Sequence, residues 1–198
     1  MLIPTMSSNY RYYNNASRGE PLHDNTISLG KLLGTGWDGK VYEDKRHSAF
    51  VIKVCAETPN IRTELEAEVE LFNRYYGENS AALINDTTIR MKKISGIPLD
   101  EVEGKIFNER SIERFNEMIC NLGDKKIMLK DFHPNNILYD SENNIFNPID
   151  FSNKYDLFFS ERTNSLCFTD TADKKSAFNK IDENNYNDVI SFIAKHML

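Results

Sequence analysis

Asp131, Asn136 and Asp150 stand at intervals of five and fourteen residues. They lie in a stretch that reads Asp-Phe-His-Pro-Asn-Asn-Ile-Leu-Tyr-Asp over 131–140 and Asn-Pro-Ile-Asp-Phe-Ser over 147–152. Phosphoryl transfer from ATP needs such a set. One carboxylate orients a hydroxyl nucleophile and accepts its proton, and an Asn with a second carboxylate holds the magnesium ions that bridge the phosphates. Asp131 fits the first role, and Asn136 and Asp150 the second. The bland alternative is an Asn-rich turn without chemistry. Phe151 argues against it, because Asp150-Phe151 falls where a metal-binding Asp-Phe-Gly belongs. His133 reads as a loop donor near the γ-phosphate. A histidine general base is the weaker alternative, since imidazole titrates near neutrality.

A phosphate-binding loop would have to face that set. Gly34-Thr35-Gly36-Trp37-Asp38-Gly39-Lys40-Val41 has the form G-x-G-x-x-G-x-V, in which glycines let backbone N–H groups approach phosphate oxygens. Alone it could be a tight hairpin turn. A strand pattern precedes it and another follows, whereas a dinucleotide fingerprint needs a helix next. No Gly-Lys-Ser/Thr closes it as a Walker loop would. Lys53 follows Gly39 by fourteen residues, inside Val51-Ile52-Lys53-Val54. A lysine in an apolar strand either snorkels from an edge or is paired. In the paired reading it holds the α- and β-phosphates and meets a helix glutamate. Glu68 is the candidate, anchored by Leu71 and Phe72, with Glu64 as the substitute. Met91-Lys92-Lys93-Ile94-Ser95-Gly96 reads as the connector between two lobes. Met91 would face the rear of a nucleotide pocket, and backbone groups of Lys92 and Ile94 would meet the adenine edge.

The positioning elements follow from periodicity. Residues 27–33, 41–44 and 50–54 read as strands, the last dense in β-branched residues. Leu65, Val69, Phe72 and Tyr76 mark a helix over 64–76 that Gly77 stops. Residues 83–84 and 88–94 read as two short strands. The spacing predicts a helix over 111–122 with Ser111 as its cap, a hairpin from 137–139 to 145–146, and a final helix over 187–197. Residues 1–25, rich in Ser, Asn, Tyr and Arg, read as a flexible leader.

Composition narrows the function. With 198 residues the chain forms one domain or two packed lobes. A net charge of -6 argues against nucleic-acid binding, which calls for a basic face. No run approaches the length of a membrane span, and residues 1–25 lack the apolar stretch of a secretory signal peptide. Three dispersed cysteines suggest reduced thiols, with neither a disulfide framework nor a zinc site.

Taken together, Gly34, Gly36, Gly39, Val41, Lys53, Glu68, Asp131, Asn136 and Asp150 resemble the protein kinase superfamily over about residues 27–152. Asp-Phe-His-Pro-Asn-Asn-Ile-Leu is also similar to the corresponding stretch of aminoglycoside and choline phosphotransferases. A narrower likeness lies in Glu70-Leu71-Phe72-Asn73-Arg74-Tyr75-Tyr76-Gly77, in Arg90-Met91, and in Asn136 through Asp140 followed by Pro148-Ile149-Asp150-Phe151. These look like the OspG/NleH family of effector kinases, which enteric bacteria deliver into host cells by type III secretion. The resemblance implies an α+β, minimal bilobal protein-kinase-like fold. Its N-lobe (26–94) is an antiparallel sheet with one helix. Its C-lobe (95–198) is truncated and helical, without the usual activation segment. It implies ATP and Mg2+ as cofactors, a serine/threonine acceptor, and a place in the host cytoplasm that dampens inflammatory signalling. Ubiquitin or a ubiquitin-charged E2 enzyme is the implied partner, and the leader would carry the secretion signal. Leu129 and Lys130 depart from the family's His-Arg, and Ser152 from its glycine. None of these removes a metal ligand. Two rival readings stay open: a small-molecule phosphotransferase, and a pseudokinase that only binds a partner.

Overall fold

The computed structural model describes residues 21–36, 39–127, 129, 132–151 and 187–198 in full. It gives the backbone alone of 155–160, 165–170, 179–180 and 183–186. Five strands form the first sheet: β1 (Leu29–Thr35), β2 (Gly39–Asp44), β3 (Phe50–Cys55), β4 (Ala81–Asn85) and β5 (Thr88–Lys92). They are antiparallel in the order β1-β2-β3-β5-β4. One helix, α1 (Ile61–Tyr76), joins β3 to β4. It starts three residues before the predicted Glu64 and stops at Gly77, whose φ of 100° favours glycine.

Register decides what each face of the sheet carries. Val41 pairs with Lys53 and Lys53 with Ile89, while Val51 pairs with Met91. Side chains directly opposite share a face. Val51, Ile89 and Met91 therefore join Leu65, Leu71 and Phe72 of α1 in one apolar cluster. Ile52, Arg90 and Ala82 are paired on the other face. That face is not left to water. Ile52 and Arg90 are both 0% exposed, and Leu22, from a 3-10 turn at Pro21–His23, is also buried. The turn lies against β4.

Arg90 fastens this cover. Its Nε donates to Asp44 Oδ2 at 2.7 Å, and both side chains are fully buried. One terminal nitrogen donates to the carbonyls of Pro21, at 2.8 Å, and of Asp24. The other donates to Thr26 O at 2.9 Å. Residues 21–25 were expected to close the leader. They form instead a strap over the sheet, because a buried guanidinium needs acceptors and the strap's carbonyls supply them.

The remainder packs around a second cluster. β6 (Ile97–Pro98), β7 (Ile137–Asp140) and β8 (Ile145–Pro148) form a three-stranded sheet. Phe107, Phe115, Ile137, Tyr139 and Phe146 join it to α2 (Glu109–Asp124) and α3 (Glu183–Lys195). The cap of α2 is Asn108 rather than Ser111. Asn108 Oδ1 accepts from Ser111 N and Ser111 Oγ accepts from Asn108 N, so the serine closes a capping box from the third helical position. Val189 and Ile193 form the buried stripe of α3. The C-terminal half holds more strand than a helical lobe implies. β9 (Tyr155–Ser160), β10 (Ser165–Asp170) and β11 (Asn179–Lys180) make a further antiparallel sheet. Residues 1–20 lie outside the described residues. Among those described, no helix is long and apolar enough to cross a membrane.

The Arg90 clamp makes a prediction. Arg90→Ala leaves Asp44 buried without its ion-pair partner and should cost about 3–5 kcal/mol of unfolding free energy in urea titrations. Arg46 pairs with Asp24 at the surface, and Arg46→Ala should cost no more than about 1 kcal/mol. Equal losses would show that the buried clamp holds nothing special.

Candidate active site

A cleft of about 520 Å³ opens between the first sheet and the β7–β8 hairpin. Gly34, Gly36, Gly39, Val41, Lys53, Glu68, Met91, Lys92, Ile94, Asn136 and Asp150 all line it. Asp131 lies outside the described residues, as do Trp37 and Asp38 between the glycines.

The loop between β1 and β2 is closed by Gly36 N donating to Gly39 O at 2.8 Å. Its glycines are needed for different reasons. A Cβ at Gly39 would meet Val54 O at 2.6 Å and Cys55 Sγ at 2.9 Å, so this glycine lets β2 lie close on β3. A Cβ at Gly34 would meet nothing within 4 Å. That glycine keeps open the space over the cleft where a ligand's charged groups can approach the backbone.

Lys53 reaches into the cleft from the middle of β3. Its Nζ donates to both carboxylate oxygens of Glu68 at 2.8 Å and to Asp150 Oδ1 at 2.8 Å. Lys53 and Glu68 are each 7% exposed. Burial disfavours the ammonium, but the carboxylates of Glu68 and Asp150 outweigh it and raise its pKa above the ordinary lysine value. Glu64, the substitute considered from sequence, is exposed. Glu68 wins because it shares the helix face of the buried Leu65, Leu71 and Phe72.

Asp150 comes from the other half of the molecule, just past β8. Its φ of 60° puts it in the left-handed region, sparsely used outside glycine and typical of constrained sites. Its neighbours hold it there. Ile149 N donates to Asn136 O at 2.9 Å, which ties the strand end to the 3-10 turn Pro134–Asn136. Phe151 is fully buried against Phe72, Tyr75 and Tyr76. Leu129 belongs to the same cluster as Phe72 and Phe151. His133 is exposed and does not line the cleft, whereas Asn135 does.

The remaining walls are largely apolar, with Thr35, Lys93, Asp100 and Glu101 as the polar exceptions. Leu33, Val41 and Val51 line the cleft from the sheet, Leu138 and Ile149 from the hairpin, and Met91 from β5. Such a slot suits a flat heterocycle. The Lys92 N–H is taken by Ser80 O at 2.7 Å and is closed to a ligand. The connector itself is pinned to the hairpin. Ser95 Oγ donates to Asp140 Oδ2 at 2.9 Å and Asn147 Nδ2 to Ser95 O at 3.1 Å. Gly96, at φ 118°, lies so close to the Tyr139 carbonyl that a Cβ would come within 2.9 Å of its oxygen.

The donor set fits magnesium. Two carboxylates against one ammonium leave net negative charge, and Asp150 and Asn136 offer hard oxygen ligands. Among the described residues no group of three or more His, Cys, Asp or Glu could hold a metal by itself. Magnesium does not need one, since it is usually bound by one or two side chains together with waters and substrate phosphates. Sequence reasoning missed Leu33, Leu138, Ile149 and Asn135. Leu33 and Leu138 carry only the ordinary signal of apolar strand residues, and Ile149 lies one residue past β8.

Comparison with known proteins points to one family. The family model described as "Protein kinase OspG, kinase domain" matches residues 32–178. Protein kinase OspG of Shigella flexneri is 30% identical over 139 residues, which cover 67% of this chain and 71% of the relative. Protein kinase OspG of Shigella sonnei (strain Ss046) matches to the same extent.

The two glycines predict separable effects. Gly39→Ala should lower the thermal midpoint through overpacking worth about 1–3 kcal/mol. Gly34→Ala should change stability by no more than about 0.5 kcal/mol yet weaken ADP binding measured by calorimetry. An ADP affinity unchanged in Gly34→Ala would remove this loop from the nucleotide site.

Proposed function

The chain belongs to the OspG kinase family and is a protein kinase, and on that premise we infer that it transfers the γ-phosphoryl group of ATP to a serine or threonine hydroxyl. The observation that carries this reading is the convergence of Glu68 and Asp150 on Lys53 Nζ at 2.8 Å across the cleft. It joins a phosphate-holding lysine from one half of the molecule to a metal-holding aspartate from the other. In this reading Lys53 neutralises the α- and β-phosphates, and Glu68 holds Lys53 in place. The glycine loop covers the phosphates with backbone N–H groups, and the apolar slot takes the adenine. Asp150 and Asn136 hold Mg2+, which offsets phosphate charge when bound. Asp131 orients the acceptor hydroxyl and takes up its proton. Positioning and charge neutralisation do most of the work, as phosphoryl transfer requires.

The wider role rests on the family likeness. The protein acts as an effector delivered by type III secretion into the host cytoplasm, where it dampens inflammatory signalling. Ubiquitin or a ubiquitin-charged E2 enzyme raises its turnover by binding the state in which the Lys53–Glu68 pair is formed.

Radiolabelled ATP tests the chemistry. Asp150→Ala should abolish label transfer with the fold intact, because its side chain is 38% exposed. Lys53→Ala should also abolish transfer, but it should lower stability too, since Glu68 stays buried without the Lys53 ammonium. Asp131→Asn should retain a residual rate, down by about 10²–10⁴-fold. Undiminished transfer by Asp150→Ala would overturn the assignment. Titrating ubiquitin-charged E2 against fixed enzyme should raise turnover. A flat response despite binding would make the conjugate a tether or a target.

A further inference from the structure

Tyr76 is the last residue of α1, and its hydroxyl donates to Pro148 O at 2.7 Å. Pro148 ends β8, two residues before Asp150. The segment 148–151 is therefore held at three successive points. Tyr76 takes the carbonyl of Pro148, the Asn136 carbonyl takes the N–H of Ile149, and Phe72, Tyr75 and Tyr76 enclose the ring of Phe151. Between these anchors Asp150 keeps its left-handed backbone. A conformation that most residues avoid persists only where its surroundings fix it.

The same helix acts on the Asp150 side chain. Glu68 lies eight residues before Tyr76, about 12 Å along the axis at 1.5 Å per residue, and it shares Lys53 with Asp150. α1 thus grips Asp150 twice, through Lys53 at the carboxylate and through the Tyr76 hydroxyl at the backbone. We propose that Tyr76 is a positioning residue for phosphoryl transfer: its hydroxyl couples the placement of α1 to the placement of the metal-holding aspartate. A shift of the helix would then displace the ion pair and the metal ligand together. The hydroxyl acts only through Asp150, so its effect belongs to metal-dependent nucleotide binding and not to nucleotide binding as such. The inference rests on the reading of Asp150 as a metal ligand.

Tyr76→Phe removes one oxygen and keeps the ring. Calorimetry with ADP, with and without Mg2+, reads the consequence apart from turnover. The increment in ADP affinity that Mg2+ confers should fall by about three- to tenfold, the scale of one neutral hydrogen bond, while Mg2+-free affinity stays within about twofold. Tyr139→Phe is the control, because the Tyr139 hydroxyl donates to Asn144 Oδ1 at 3.0 Å within the hairpin. It should lose stability without losing the increment. An equal fall in Tyr139→Phe would show general destabilisation and overturn the proposal. A double-mutant cycle completes the test, since Tyr76→Phe should add nothing once Asp150→Asn has removed the ligand. Additive losses would overturn the coupling. If Asp150→Asn keeps the full increment, the metal-ligand reading fails and the proposal with it. If Asp150→Asn loses the increment while Tyr76→Phe keeps it, the proposal alone fails.

Discussion

An ammonium nearly shut off from water is tolerable only beside carboxylates, and Lys53 has two of them from different parts of the chain. This requirement organises the molecule. It fixes the rotation of α1, because one residue's turn of the helix would swing Glu68 away from β3. The apolar contacts of Leu65, Leu71 and Phe72 with the sheet enforce the same rotation. It also draws the end of β8 up to the sheet, so that the two halves meet through charge at the centre of the cleft and through aromatic rings behind it. The pair and the aromatic cluster support one another. Phe151 is buried against α1 while the adjacent Asp150 stands beside Lys53.

Much of this arrangement was legible in the sequence because its parts carry local signals. The period of α1 singled out Glu68 over its acidic neighbours. The β-branched run around Lys53 announced a buried strand, and the glycine spacing announced a close backbone approach. β9 and β10 went unread, although Leu157 and Phe159, then Leu166 and Phe168, stand at the strand period. The α2 cap was misplaced because serine can cap a helix directly or complete the box from three positions inside, and the two look alike until Asn108 is seen to accept from Ser111.

What the sequence could not disclose shares one physical cause. Arg90 and Tyr76 both bond to main-chain carbonyls distant in the chain. Every residue carries a carbonyl, so such an acceptor leaves no mark in composition or spacing. The donors looked ordinary: an arginine in a strand and a tyrosine in a helix stripe. Their roles emerge only when folding brings strap, helix and hairpin together, and in each case a polar side chain crosses an apolar interface to reach a backbone group.

The strap has a mechanical consequence. Among the described residues, tension applied at Pro21 loads the bonds that Arg90 makes to the carbonyls of Pro21, Asp24 and Thr26. Once they part, the guanidinium and Asp44 are left at the rim of an opened apolar face, where water solvates both charges and discourages the strap from closing again. Lys53 lies on the other face of the sheet, so the strap can lift without touching its ion pairs directly. The clamp that stabilises the resting molecule is also the place where it comes undone under load.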